Sequence, residues 1–150
     1  MKASELMTGS PETCEPGDSL RDAVKIMKEA DCGIVPVTEG NGEARVVGVI
    51  TDRDIALHLG ESDRKASDVR IGDVMSTEIV ACEPSASVEE VARRMQEAQV
   101  RRVLVVENGR LRGVIATADL ARASSASTKD RLGNEVERVI ERVSEPGPAR

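Results

Sequence analysis

The chain has 150 residues, enough for one domain or two small ones and too few for a multi-domain enzyme. Its 39% apolar content suits an ordinary core, but it has no Phe, Tyr or Trp, so aliphatic side chains must fill that core and single-stranded nucleic acid finds no rings to stack on. With 27 acidic against 21 basic residues the net charge is −6, the opposite of a polyanion binder, so nucleic acid is not an expected partner.

The N-terminal run Met-Lys-Ala-Ser-Glu-Leu-Met-Thr has no apolar stretch of signal-peptide length. No run in the chain approaches the roughly 18 apolar residues that span a bilayer. A cytoplasmic protein with reduced thiols and no membrane partner is expected. Cys14, Cys32 and Cys82 form no C-x-x-C pair, and His58 is the single histidine, so no zinc site is expected. Cys14 falls in a strand position and reads as a small buried hydrophobe, with redox sensing as the alternative. Cys32, at a helix end before Gly33, is the cysteine expected to be exposed.

Ser19-x-x-Asp22 reads as a capping box. Behind it Leu20, Ala23, Val24, Met27 and Ala30 recur at helical spacing. Short β-rich runs follow at 34–37 and 45–51, then a short helix from Asp52 that ends near His58. That histidine reads as structural or surface-facing, since no Ser or Cys is placed to pair with it. The strand-to-helix junction, Gly48-Val49-Ile50-Thr51-Asp52-Arg53-Asp54, admits two readings. One is a plain N-cap, a Thr hydroxyl and an acid serving the first turn. In the other, free amides and the Thr51 hydroxyl take a phosphate, Asp54 takes the two hydroxyls of a ribose, and Arg53 supplies charge.

After a polar connection the chain repeats itself. Met7 recurs as Met75, Cys14-Glu15-Pro16 as Cys82-Glu83-Pro84, and Met27 as Met95, each 68 positions on. Past the loop at 39–44 the spacing drops to 65, pairing Gly48-Val49-Ile50 with Gly113-Val114-Ile115 and Asp54 with Asp119. The three extra residues fall where the second copy has only an Asn108-Gly109 hairpin turn. Ser87-x-x-Glu90 is the second capping box, closer to the standard form, and Val88, Val91, Ala92, Met95 and Ala98 form its helical face. Strands at 102–106 and 110–116 and a helix from Thr117 complete the copy.

Each copy is thus strand, helix, strand, strand, helix. About 50 residues bury too little alone, so the two are expected to pack sheet to sheet around one core, with internal pseudo-twofold symmetry. The predicted organisation is repeat 1 at 1–58, a linker at 59–70, repeat 2 at 71–123 and a small-residue linker at 124–128. An amphipathic helix follows at 129–143, with Leu132, Val136, Val139, Ile140 and Val143 on one face, and then a frayed tail at 144–150. The helix reads as packed on its own domain or a dimer mate, or as a docking helix for another protein.

The copies differ in charge. Val100-Arg101-Arg102-Val103 places two arginines before an apolar strand, where the first copy has Gly33-Ile34. The pair either bridges to acids of the preceding helix or presents guanidinium forks to phosphate.

The doubled units resemble a tandem pair of cystathionine-β-synthase (CBS) domains over roughly residues 1–123. The motifs are the leads Met7-Thr8 and Met75-Ser76, Glu-Pro before each first helix, Val-Arg-Arg-Val, and Gly-Val-Ile-Thr-Asp-Arg-Asp-Ile echoed by Gly-Val-Ile-Ala-Thr-Ala-Asp-Leu. The resemblance implies a stand-alone, non-enzymatic regulatory module of the α/β (α+β) class, forming homodimers and regulating a partner protein. No cofactor is required on this reading, and no residues are read as metal ligands. The regulatory ligand it implies is an adenosine compound (AMP, ADP, ATP, S-adenosylmethionine or NAD) held in a cleft between repeats.

Carried over residue by residue, the expected nucleotide site is Thr51, Arg53, Asp54, Met75, Thr77, Val100, Arg101 and Arg102. A weaker or empty second site is expected at Gly9, Gly33, Thr117 and Asp119. There Ala116 replaces the hydroxyl, Gly33-Ile34 lacks the basic pair, and Thr117 is shifted by one. Leu104 replaces the proline usual after the basic pair, which Pro36 keeps in the first copy. A ligand-free structural or protein-interaction dimer is the alternative from another class.

Overall fold

The structure, a computed structural model, describes residues 1–40 and 42–126. The amphipathic helix expected at 129–143 and the tail at 144–150 lie outside the described residues, as do 127 and 128 of the expected linker. In chain order the elements are α1 (Ala3–Leu6), β1 (Thr8–Gly9), α2 (Leu20–Ala30), β2 (Ile34–Glu39), β3 (Arg45–Thr51) and α3 (Asp52–Gly60). Two 3-10 turns, Ala66–Asp68 and Ile71–Asp73, precede β4 (Ala81–Cys82), α4 (Val88–Ala98), β5 (Arg102–Glu107), β6 (Arg110–Ala116) and α5 (Thr117–Ala126). The mixed α/β class and the doubled helix-strand-strand-helix order agree with the sequence reading.

The chain divides into two compact units whose limits are not those of the two sequence copies. An N-unit holds Pro11–Ile79 with Gly109–Leu111, and a C-unit holds Met1–Ser10, Val80–Asn108 and the described residues from Arg112 onward. Each copy's Met-Thr or Met-Ser lead therefore belongs to the unit built mainly from the other copy.

In the N-unit, β2 and β3 form an antiparallel pair from Ile34↔Thr51 to Glu39↔Arg45, with a bulge between Val37 and Thr38. Ser19 caps α2 with a complete box: its Oγ accepts from the Asp22 amide at 3.2 Å, and the Asp22 carboxylate accepts from the Ser19 amide at 2.9 Å. The Ser19 amide, and the Ser19 hydroxyl donating to Asp22 Oδ2 at 3.0 Å, hold the Asp22 carboxyl below its usual pKa. Leu20, Ala23 and Met27 turn into a core with Val35, Val37 and Ile50. Val24, placed on the apolar face by spacing alone, is instead 43% exposed, and Ile26 packs against the core. Val24 precedes the buried Met27 by three positions and follows Leu20 by four, at the edge of a face only three side chains wide. Val69 and Ile71, in the polar connection, are buried in this core, with the Leu20 amide bonded to the Val69 carbonyl at 3.0 Å.

In the C-unit, β4 runs parallel to β5 and β1 pairs antiparallel with β6. The predicted Asn108-Gly109 turn joins β5 to β6, with φ of 52° and 78° at its two residues, the left-handed pair a type I′ turn requires. Val88, Val91, Ala92 and Met95 of α4 are buried, while Ala98 is exposed. The Ser87 cap is only half a box, which reverses the expected ranking: Ser87 accepts from the Glu90 amide at 3.2 Å, but the Glu90 carboxylate turns to Arg94 at 2.8 Å. α5 runs through Ala126, so residues 124–126, expected as linker, are helical. The Ser124 and Ser125 hydroxyls donate back to the Ala121 carbonyl at 2.8 and 3.0 Å, which lets these small polar residues continue the helix.

Candidate ligand-binding junctions

Among the described residues each unit has one place where a strand feeds directly into a helix, and most of the candidate residues lie on or beside these junctions. In the N-unit β3 ends at Thr51, which is extended (φ −111°, ψ 159°) and caps α3. Thr51 Oγ1 accepts from the Asp54 amide at 3.1 Å, and Asp54 Oδ2 accepts from the Thr51 amide at 3.1 Å. The first turn is closed further by two bonds: the Asp52 amide donates to the Gly33 carbonyl at 3.0 Å, and the Arg53 amide to Asp52 Oδ1 at 2.8 Å. The free amides expected here are therefore filled by the chain's own oxygens, because an acid at the first helical position folds back onto the second.

The Met75–Thr77 lead reaches the same junction along β3. Val49 and Ser76 exchange two backbone hydrogen bonds of 2.9 Å. Gly48 permits this approach: a Cβ there would stand 2.7 Å from the Ser76 carbonyl oxygen and 2.9 Å from Met75 Sδ. The N-unit thus holds Thr51, Asp54 and Gly33 together with the Met75–Thr77 segment, which the Val49–Ser76 pairing ties to β3, and Arg53 is exposed on the first turn.

In the C-unit β6 feeds α5. The Ala116 amide donates to Asp119 Oδ2 at 2.8 Å, and the other carboxylate oxygen, Oδ1, pairs with Arg122. The Thr117 amide donates to the Arg101 carbonyl at 3.0 Å, which sets Val100-Arg101-Arg102 beside the start of α5. Arg101 is exposed and Arg102 half-buried. The first lead lies along β6, with Thr8 opposite Val114 and Gly9 opposite Gly113, and a Cβ on Gly113 would stand 2.6 Å from Met7 Sδ.

Val100, Arg101 and Arg102, read in the sequence with Thr51 and Asp54, thus belong to the unit that holds Gly9, Thr117 and Asp119. Gly33, read with that second group, lies in the N-unit against Asp52. The two carboxylates differ in what they leave open. Asp119 is buried with both oxygens engaged, whereas Asp54 is half-buried and, among the described residues, engages only Oδ2.

Asp52 is not singled out by the sequence reading, and Ser76 enters it only as part of the Met75-Ser76 lead. Asp52 looked like any acid in a first helical turn. The recurring Gly of Gly-Val-Ile (48–50, 113–115) was the signal that another backbone passes close at both places.

Cys14 and Cys82 are buried and free, and burial raises both thiols, Cys14 to about 12, with Asp18 and Asp22 adding to the rise. Cys32, expected exposed, is half-buried against the N-unit core. His58 lies in α3 with its Nε2 buried and, among the described residues, lacking a hydrogen-bond partner. Among the described residues no three His, Cys, Asp or Glu side chains cluster as a metal site, and no helix is long and apolar enough to cross a membrane.

Known proteins share this arrangement. The profile of the CBS domain matches twice, at residues 3–61 and 71–126. The Bacillus subtilis (strain 168) protein YlbB is 35% identical over 140 residues, covering 93% of this chain and 92% of that protein. The crystal structure of Hypoxic Response Protein I with two coordinated zinc ions, a protein known from Mycobacterium tuberculosis, is similar with a TM-score of 0.73 and 29% identity, over 81% of this chain and 98% of that one. CBSX2, crystallised in complex with AMP, is similar with a TM-score of 0.71 and 27% identity, over 83% of this chain and 96% of that one.

Proposed function

This chain belongs to the CBS domain family, with two copies of the domain, and from that premise we propose that it is a non-enzymatic regulatory module for an adenosine-containing ligand. The observation that carries the proposal is the Thr51–Asp54 junction, where a half-buried carboxylate keeps one oxygen unengaged beside a capped helix start. An acid so placed can accept ribose hydroxyls, as acids do in dinucleotide folds. The AMP complex of CBSX2, a structural neighbour, supports the ligand class. Thr51 keeps its hydroxyl proton to donate, and Met75 and Thr77 flank the site from the second lead. Arg101 and Arg102 are the proposed phosphate contacts, at the start of α5. Ligand regulates only if it prefers one conformation of the module over another. A homodimer acting on a regulated partner protein in the cytoplasm completes the proposal.

The experiment is thermal unfolding, followed by circular dichroism, with AMP, ADP, ATP, S-adenosylmethionine and NAD. Ligand at a hundredfold excess over its Kd stabilises by about 2.7 kcal/mol. Asp54→Asn, which keeps a capping oxygen, is expected to abolish the shift for the ligand bound at that junction. Arg102→Ala is expected to abolish it for a phosphate-bearing one.

A second reading is favoured by the complete Thr51–Asp54 capping box: both side chains serve the helix alone, and the protein is a ligand-free interaction scaffold. Absence of a shift with all five compounds would select it.

A further inference from the structure

The amides that open α3 leave no place for a phosphate. Asp52, Arg53 and Asp54 donate to the Gly33 carbonyl, the Asp52 carboxylate and the Thr51 hydroxyl respectively. Anion binding at a helix start uses these donors. The acceptor on Arg53 is itself an anion, and its other oxygen lies against Gly33, 3.0 Å from where a Cβ would be. A phosphate entering here would displace Asp52 and then meet its charge.

The second copy keeps the carbonyl partner of the first amide, Thr117 to Arg101 at 3.0 Å, and differs in the side chains around it. Thr117 stands at the position of Asp52, and Arg101 and Arg102 at those of Gly33 and Ile34. Ala116, at the position of Thr51, has no oxygen to offer the Asp119 amide. The Arg101-Arg102 backbone therefore lies beside the start of α5, which lacks the hydroxyl cap, while the start of α3 carries Asp52 and a complete capping box. Arg53 is the one cation within the first turn of α3, and its side chain is exposed.

We infer that Asp52 determines specificity at the Thr51–Asp54 junction, restricting it to adenosyl ligands without phosphate, neutral like adenosine or cationic like S-adenosylmethionine. Phosphate-bearing ligands are left to the junction that carries Arg101 and Arg102. The inference rests on the ligand class proposed above and refines it. Ribose recognition by Asp54 does not distinguish charged from neutral adenosyl compounds, so at this junction Asp52 alone sorts them by charge.

Titration calorimetry on the full chain with adenosine, S-adenosylmethionine and AMP tests it. Adenosine and S-adenosylmethionine should bind the wild type and be lost in Asp54→Asn, with any AMP binding unchanged by that variant. Asp52→Ala, which frees the Arg53 amide and removes the charge, should tighten AMP about tenfold, the size of one charge-assisted hydrogen bond. Asp52→Asn, which keeps an oxygen for that amide, should tighten it less. The gain should vanish in the Asp52→Ala, Asp54→Asn double variant, which places it at this junction. AMP bound to the wild type as tightly as adenosine, with both lost in Asp54→Asn, overturns the inference and leaves the nucleotide-sensing proposal standing. An unchanged AMP affinity in Asp52→Ala overturns it as well. Failure of all three compounds to bind overturns the proposal and the inference together.

Discussion

Cys14 shows how little a thiol's reactivity follows from its presence. It is 3% exposed, its Sγ lies 3.8 Å from the Pro36 carbonyl oxygen, and burial lifts its pKa from 9.0 to about 12. The unfolded chain ionises this thiol near pH 9 and the folded chain does not. Its contribution to stability is therefore whole below pH 9 and is lost as pH rises toward 12, by up to about 1.4 kcal/mol per pH unit. Urea denaturation at pH 8 and pH 10.5 should show a smaller loss in Cys14→Ala than in the wild type. The sequence placed Cys14 and Cys82 in equivalent strand positions and read them as buried hydrophobes, which the raised thiols support. It ranked the Asp54 site above the Asp119 site on Ala116 and Gly33-Ile34, but it did not anticipate Arg122, which reaches back three positions to pair with Asp119.

At the scale of the element, capping decides how firmly each helix begins. Ser19 is buried and makes both halves of its box, whereas Ser87 is exposed and makes one. Ser19→Ala should therefore cost about 1–2 kcal/mol and Ser87→Ala about 0.5 kcal/mol, measured as shifts in the urea midpoint. The box residues were legible in the sequence, but their ranking was not. Glu90 is the better box residue by type, yet Arg94 lies four positions on along the helix and takes its carboxylate. The type I′ turn at Asn108-Gly109 needed no such context, since both left-handed φ values are local demands.

For the whole molecule, the exchange of leads has a consequence for stability. Residues 1–10 belong to the C-unit, where the Ala3 amide donates to the Ala86 carbonyl at 2.8 Å, Ala3 is fully buried, and β1 pairs with β6. A chain lacking residues 1–10 keeps the second sequence copy intact, yet it should lose hydrogen-exchange protection in 80–108 and 112–126 while 11–79 retains it. If a unit were simply one copy, the deletion would instead weaken the first copy.

The sequence by itself determined the duplication, the centre of each helix face, the hairpin turn and the two strand-to-helix junctions, because period, capping and turn chemistry act over a few neighbouring residues. Tertiary structure alone decided which copy each lead joins, which connecting residues enter the core, and which arginines border which carboxylate. Those outcomes depend on contacts between residues tens of positions apart, such as Val49 with Ser76 and Thr8 with Val114, and no local spacing encodes the partner of a strand edge.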